Sequence, residues 1–304
     1  MPASLQLFLV LFVVGASLRL FGVLTKRHAE RLGAFVFSIT LPATIILSLD
    51  RVVFSPTPWK IPFSACLITL PLVLIAWALA RMLALDRPTQ GGFLLAVGCI
   101  NSIYFAYPVA LATFGDEGLA QAILFDLGQT TLTLLVLYPM ALWHGAHSSS
   151  PHAAGRRLLT SPPLWALVAI LAMKAAGLHL PEWLRTILTP MHLLTIPLAS
   201  LVLGLSITVH AVRQTWRLTS LGVGLRMAGG VLLGWIATLL LGLTGLERAA
   251  VLLIAGMPSA VMAVIFAADA KLDEDLVASI VALSICLGVA LLPWLPQLAA
   301  ALLG

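Results

Sequence analysis

Two apolar stretches of the sequence, at 98–115 and 254–270, carry polar and helix-breaking residues in mid-run. Proline inside a helix removes one hydrogen bond and clashes with the carbonyl four residues earlier, so both stretches predict broken helices. The N-termini of half-helices carry positive partial charge, which suits a carboxylate or similar anion without a buried Arg or Lys. The alternative is ordinary proline kinks. The residues concerned are Asn101, Ser102 and Pro108 in the first stretch and Gly256, Pro258 and Ser259 in the second.

Polar residues within the apolar runs are the candidates to line such a site. Asn101 could donate its amide to a substrate carboxylate, or could merely satisfy backbone carbonyls at the break. Gln129 follows Asp126 by three residues, so the two lie on a similar helix face. The other candidates for substrate contact are Ser102, Tyr104, Ser259, Thr40 and Thr195. For the threonines the alternative is a hydrogen bond within their own helix, and for the tyrosine it is packing.

Asp126 is the only acidic residue deep inside a predicted span. A carboxylate inside the membrane is costly and is a functional candidate by default. It could bind a proton or a cation such as sodium. The alternative is a carboxylate that pairs with polar groups or lies near the outer interface.

No motif for catalysis or for a cofactor accompanies these residues. The sequence contains no H-E-x-x-H, no G-x-S-x-G and no G-x-x-x-x-G-K-[ST]. The three cysteines lie in apolar runs without metal-binding spacing, and the histidines at 144, 147 and 152 fall in a polar connector. We therefore expect no enzyme, no cofactor and no metal site.

The composition requires that these residues be held by membrane-spanning helices. Of the 304 residues, 61% are apolar and 10% are charged, whereas soluble domains carry about 25% charged residues. The mean hydropathy is +1.06, which excludes both a soluble fold and intrinsic disorder. The net charge of +5 indicates basic cytoplasmic loops rather than nucleic-acid binding.

Ten apolar runs are long enough to span the membrane, at about 20 residues each. They are 4–25, 32–49, 61–85, 91–114, 118–143, 162–179, 187–210, 218–243, 246–268 and 274–303. One face would carry eleven basic loop residues and the other five, so the first face is cytoplasmic and both termini lie outside. The eleven are Lys26, Arg27, Arg31, Arg81, Arg87, Arg156, Arg157, Arg213, Arg217, Arg226 and Lys271. We place the protein in the plasma (inner) membrane.

The polar connector 144–161 divides the chain into 1–143 and 162–304, each with five runs. An odd number of spans per half predicts that the second half is inverted relative to the first, as in many secondary transporters. Thr40-Leu41-Pro42 is similar to Thr195-Ile196-Pro197 at an offset of 155. Acidic turns after runs four and nine match at an offset of 157, which aligns Asn101 with Pro258.

Two segments also carry a family resemblance: Asn101-Ser-Ile-Tyr-Phe-Ala-Tyr-Pro108, and the region from Met257-Pro258-Ser259 to Leu291-Leu292-Pro293. They are similar to motifs of the auxin efflux carrier family, which includes plant PIN-type carriers and bacterial permeases linked to malate and malonate. Gln129 falls where PIN-type carriers have a glutamine in the fifth helix. The resemblance covers nearly the whole chain.

The resemblance implies an all-α membrane protein of ten helices in two inverted five-helix repeats. Helices four and nine would be broken and would cross at Ile100, Pro108, Gly256 and Pro258, with substrate beside the crossover. PIN-type carriers have a proline where this chain has Ile100, and many have a long cytosolic loop that this chain lacks. These differences favour the short bacterial-type branch over an auxin carrier.

The expected function is therefore a secondary transporter that exports or exchanges a small organic anion. The crossover bundle would move like an elevator against helices one, two, six and seven, driven by the membrane potential or by coupled protons or sodium. The expected partners are this anion and the lipid bilayer, and a homodimer is one assembly that the sequence allows. The rivals are a sodium-coupled importer of the bile-acid symporter type and, from another class, a membrane-embedded enzyme or receptor.

Overall fold

The computed structural model describes residues 3–51, 57–145, 160, 162–206 and 216–294. These parts of the chain are helices joined by turns and short extended segments. Their β-structure consists of one isolated bridge between two residues. Six of the helices described are long and apolar enough to cross a membrane. A helix satisfies its own backbone hydrogen bonds, which lipid cannot do. The chain is thus a helical, multi-pass membrane protein, as its composition predicts.

The helices are labelled in chain order. They are α1 (Ala3–Leu20), α2 (Lys26–Phe35), α3 (Leu41–Arg51), α4 (Lys60–Met82), α5 (Arg87–Gly98), α6 (Tyr107–Leu132), α7 (Tyr138–His144), α8 (Pro162–Ala175), α9 (Glu182–Leu205), α10 (Trp216–Gly224), α11 (Gly230–Leu241), α12 (Gly245–Ala255), α13 (Val261–Ala270) and α14 (Glu274–Leu291). Wider π-helical turns at Val36–Thr40, Ser102–Ala106, Thr133–Leu137 and Leu225–Gly229 join some of them, and a 3-10 turn, Leu292–Trp294, follows α14.

The chain packs into two compact units. The first comprises residues 1–56, 103–123 and 156–207, and it contains α1, α2, α3, α8, α9 and the first part of α6. The second comprises 57–102, 124–155 and 208–304, and it contains the remaining helices. Each unit therefore draws on both of the sequence halves, 1–143 and 162–304.

Each of the ten predicted runs overlaps one or more helices in the parts of the chain described, and the fourth and ninth are interrupted. The second run starts earlier than predicted, at Lys26, because the N–H of Thr25 bonds to Nδ1 of His28 and fixes the helix start. Most of the connector 144–161 and the ends of the seventh and tenth runs, 207–210 and 295–303, lie outside the described residues.

Proline positions explain most of the π-helical turns. A proline has no N–H for the carbonyl four residues earlier, and its ring crowds that carbonyl. A wider turn relieves the clash at the expense of one extra residue. Three π turns end two residues before a proline, namely Val36–Thr40 before Pro42, Ser102–Ala106 before Pro108 and Thr133–Leu137 before Pro139.

Within α6 the chain bends sharply at Gly115. Its backbone angles, φ 70° and ψ −161°, belong to a region that is open almost only to glycine. The kink falls between the predicted fourth and fifth runs, at the first acidic turn. It therefore separates two helical segments within Ser102–His144, which is otherwise a single stretch of 43 residues.

Two glycines allow α1 and α9 of the first unit to pack with their backbones in close approach. A Cβ on Gly15 would lie 2.6 Å from the carbonyl oxygen of Leu201, and one on Gly204 would collide with the carbonyl oxygen of Phe12. Small residues at such points are how membrane helices gain contact area, because lipid supplies no hydrophobic drive for helices to associate.

Candidate functional site at the paired helix breaks

The two predicted helix breaks lie side by side in the second unit. Ile100 and Ser259 form an antiparallel bridge between the segment that follows α5 and the segment that precedes α13. The N–H of Asn101 donates to Pro258 O at 2.9 Å, and the N–H of Ala260 donates to Cys99 O at 3.0 Å. Each broken helix thus satisfies backbone groups of the other, which lipid could not do.

The two breaks have different local causes. At the second, Pro258 has no N–H and disfavours helical angles in the preceding residue, so α12 ends at Ala255. At the first, the extended residues begin at Cys99 (φ −89°, ψ 124°), well before the nearest proline. Pro108 lies inside α6, behind a π turn that absorbs its missing hydrogen bond and outside the bridged segment, so its crossover role stays a prediction.

The C-terminal end of α5 is fully capped. Its last four carbonyls have no partner within the helix and would be costly to bury bare. Three of the four donors are side chains from other segments of the second unit. The donors are Cys99 N–H to Leu95 O (3.0 Å), Ser259 Oγ to Ala96 O (2.8 Å), Arg226 Nη1 to Val97 O (3.1 Å) and Gln129 Nε2 to Gly98 O (2.8 Å).

The corresponding end of α12 is capped in a related way. Backbone N–H groups of the following turn reach three of its carbonyls, and the same arginine reaches the fourth. The donors are Gly256 N–H to Leu252 O and Leu253 O, Met257 N–H to Ile254 O (3.0 Å) and Arg226 Nη2 to Ala255 O (2.6 Å).

Arg226 is a further functional candidate, which the polar residues of the two breaks do not reveal. The count of basic residues assigns it to the cytoplasmic loops, but the structure buries it completely, in the π turn between α10 and α11. A buried cationic side chain therefore lies at the breaks in addition to the helix ends. The signal was present in the sequence, because Arg226 lies inside the apolar run 218–243 and an intramembrane cation is a functional candidate.

Asn101 and Ser102 leave hydrogen-bonding atoms unused beside the bridge. Their exposed fractions are 2% and 4%. The Nδ2 of Asn101 and the Oγ of Ser102 have no hydrogen-bond partner among the residues described. An unsatisfied buried polar group costs about 1–3 kcal/mol, so native structures rarely keep one without a reason. These two atoms are available to a ligand.

Two other predicted substrate residues have their side chains occupied within the protein. Gln129, which is 2% exposed, accepts from Thr69 Oγ1 at 2.6 Å while it caps Gly98. The hydroxyl of Ser259 donates to Ala96 O, and its N–H donates to Ser284 Oγ at 3.1 Å. In the structure these side chains shape the break, and their contact with substrate stays a prediction.

The two predicted threonines, Thr40 and Thr195, lie in the first unit. Thr40 bonds within its own helix, to Val36 O at 3.4 Å. Thr195 joins Thr44 through their hydroxyls at 2.7 Å and donates to Thr40 O at 3.2 Å. The structure thus brings Thr40 and Thr195 together, in a hydroxyl cluster that links α3 to α9.

Tyr104 and Asp126 complete the predicted set. Tyr104, also in the first unit, donates its hydroxyl to Gly33 O at 3.3 Å. Asp126 is half-buried on α6 in the second unit, one helical turn before Gln129. No group of three His, Cys, Asp or Glu side chains that could hold a metal occurs among the residues described, and His147 and His152 lie outside them.

Comparison with known proteins identifies the class. Residues 1–295 match the family described as "Membrane transport protein". The chain is 31% identical over 288 residues to an uncharacterized transporter of Methanothermobacter thermautotrophicus, covering 94% of each protein. It is 28% identical over 278 residues to an uncharacterized transporter of Methanocaldococcus jannaschii, covering 89% of this chain and 90% of the other.

The chain therefore belongs to this family of membrane transport proteins, and the resemblance to auxin efflux carriers is confirmed. The family is one of transporters, and both relatives are named as such.

Proposed function

We propose that this protein is a secondary transporter of a small organic anion such as a carboxylate, which binds beside the paired helix breaks. The observation that carries the proposal is the buried Nδ2 of Asn101, which has no partner in the described structure. An amide nitrogen can only donate hydrogen bonds, so its ligand must bring an acceptor. Ser102 offers a second unused atom on the neighbouring residue. A carboxylate oxygen fits both.

The start of α13 adds positive partial charge next to this pair. Val261 and Met262 open that helix, and their N–H groups have no acceptor within it. The helix end therefore carries about half a positive charge, which favours an anion. The N–H of Asn101 donates to Pro258 O, three residues before α13 begins, so the backbone of Asn101 is held close in sequence to this helix end.

An elevator-like mechanism is supported by the way in which the helices group. The first unit contains α1, α2, α3, α8 and α9, which make up the four predicted scaffold runs, together with the first part of α6, which follows the first break. The second unit contains both helix breaks and α14. Two compact units, only one of which holds the candidate site, are what a carrier needs if its site moves against a scaffold.

The inverted-repeat arrangement of ten helices is part of the same proposal. In its support, the half-helices α5 and α12 have 12 and 11 residues and end at corresponding positions. The excess of basic residues on one face is ten against five without Arg226, which still favours termini outside the cytoplasm.

The membrane potential can supply the driving force. An interior-negative potential favours export of an anion by about 2.3 kcal/mol per charge per 100 mV. Coupling to a proton through Asp126 is compatible with this scheme but is not required by it.

The proposal is tested by a flux screen in proteoliposomes loaded with dicarboxylates, monocarboxylates or indole-3-acetate, with and without an imposed potential. We expect efflux of at least one anion, faster when the loaded side is negative. Flux that occurs only with a sodium gradient would favour the bile-acid symporter type. Specific binding without any flux would favour a receptor, and chemical change of the solute would favour an enzyme.

A further inference from the structure

The side chain of Arg226 links the C-terminal ends of the two half-helices. Its Nη1 donates to Val97 O near the end of α5, and its Nη2 donates to Ala255 O at the end of α12. The two carbonyls belong to segments more than 150 residues apart in the sequence. One planar guanidinium therefore joins the C-terminal ends of both half-helices.

The charge of Arg226 is not matched by an acidic side chain. No carboxylate forms an ion pair with it among the residues described, and its Nε has no hydrogen-bond partner there. Each half-helix C-terminus carries about half a negative charge. The two ends together therefore balance one guanidinium, whose charge would otherwise be very costly in a dry interior.

We propose that Arg226 is a positioning residue for transport, whose guanidinium holds the two helix breaks together and offsets their negative ends so that the neighbouring donors favour an anion. This inference rests on the proposed function for the identity of the ligand, but not for the role of the arginine. Without the guanidinium, about one negative charge remains next to Asn101 and repels an anionic substrate.

Gly230 supports the same role. It lies one turn after Arg226, where a Cβ would collide with Ala255 O and with Nη2 of Arg226. Only glycine leaves room there for the guanidinium to reach the end of α12. Gly230→Ala therefore displaces the arginine without removing its charge, and it provides a second route to the same defect.

The first test does not depend on knowing the substrate. Cys99 lies in the first break and is buried, so its rate of maleimide labelling reports opening of the paired segments. In a Cys66→Ala/Cys286→Ala background, we expect Arg226→Ala to label at least about tenfold faster, because two buried carbonyls lose charged donors. Gly230→Ala should show the same change, whereas Gly224→Ala, at a position with open space around it, should not.

Chemical rescue of Arg226→Ala distinguishes the effect of the lost charge from the effect of the lost side-chain volume. Guanidinium ion added at non-denaturing concentration should slow Cys99 labelling of Arg226→Ala back toward the wild-type rate, because it refills the cavity with a cation. Urea has nearly the same shape without the charge and should not rescue. Equal rescue by urea, or unchanged labelling in both variants, would overturn the proposal.

The second test uses flux of whichever anion the screen identifies. Arg226→Lys keeps the charge with fewer donors and should retain most of the flux, whereas Arg226→Met should raise KM about tenfold or more with a smaller change in kcat. A fall in kcat at unchanged KM would show a purely structural role. If the wild type moves no anion at all, the proposed function fails while the labelling experiment still decides the role of Arg226.

Discussion

The main-chain N–H of Asn101 donates to the carbonyl of Pro258 at 2.9 Å, so the residue after one helix break is held by the proline that produces the other. The bond fixes the backbone of Asn101 while its amide nitrogen stays unpaired. A donor on a rigid backbone binds with little loss of conformational entropy, which is what a selective site requires.

Replacing Asn101 with Ala should reduce anion flux about tenfold to a hundredfold, because a hydrogen bond to a charged group is worth about 1.5–3 kcal/mol. Asn101→Asp should be at least as damaging, since it adds a negative charge where the anion binds. Gln90→Ala is the matched control, because Gln90 also has a buried amide nitrogen without a partner in the second unit, but lies early in α5. Normal flux in Asn101→Ala would remove this residue from the site.

Gln129→Leu should lower the stability of the protein by about 1–3 kcal/mol, because Gly98 O loses its cap and Thr69 loses its acceptor. Thermal unfolding in detergent measures the change. Thr131→Val on the same helix, where the exposed hydroxyl bonds only to Leu127 O, should have little effect. If Gln129→Leu changes KM but leaves stability intact, Gln129 contacts the substrate directly, as the sequence suggests.

Asp126→Asn tests proton coupling. If Asp126 carries a proton through the cycle, wild-type flux depends on pH and the variant loses that dependence while it still transports. Asp116→Asn, at the first acidic turn, where the carboxylate accepts from Ser48 Oγ at 3.5 Å, is the control and should keep the wild-type pH profile. Identical pH profiles in all three proteins would exclude the coupling role of Asp126.

Gly115→Ala should destabilise the first unit by about 1–3 kcal/mol, because its backbone angles are strained for any residue with a Cβ. Gly224→Ala, in regular helix with open space around it, should cause no loss. Melting temperatures of the two variants in the same detergent provide the comparison, and equal melting temperatures would contradict the assignment of strain to Gly115.

Much of this fold is predictable from properties of short sequence segments, namely the length of apolar runs and the position of prolines. Apolar runs of about 20 residues identify helices in lipid, and Pro258 identifies the second break, because both effects act within a few residues. Pro108 is a local signal for a break in the first stretch, but the extended backbone begins at Cys99, where the chain pairs with a segment far along the sequence. Such pairing leaves no local signal.

The partners of polar side chains were the hardest part to predict. Counting charges placed Arg226 in a loop, because the count uses residue type alone and cannot see that two helix ends supply acceptors for the side chain. The residues Gln129 and Ser259 were found by their polarity, but their use as caps depends on carbonyls that only the folded chain brings near.

The capping of α5 also constrains how the protein is made. The carbonyl of Gly98 accepts from Gln129, that of Val97 from Arg226, and that of Ala96 from Ser259. All three donors follow α5 in the sequence. During synthesis the end of α5 must therefore stay incomplete until more than half of the remaining chain has left the ribosome. A nascent chain that ends before Arg226 lacks the donors of both Val97 O and Ala96 O, and inside a bilayer lipid cannot replace them.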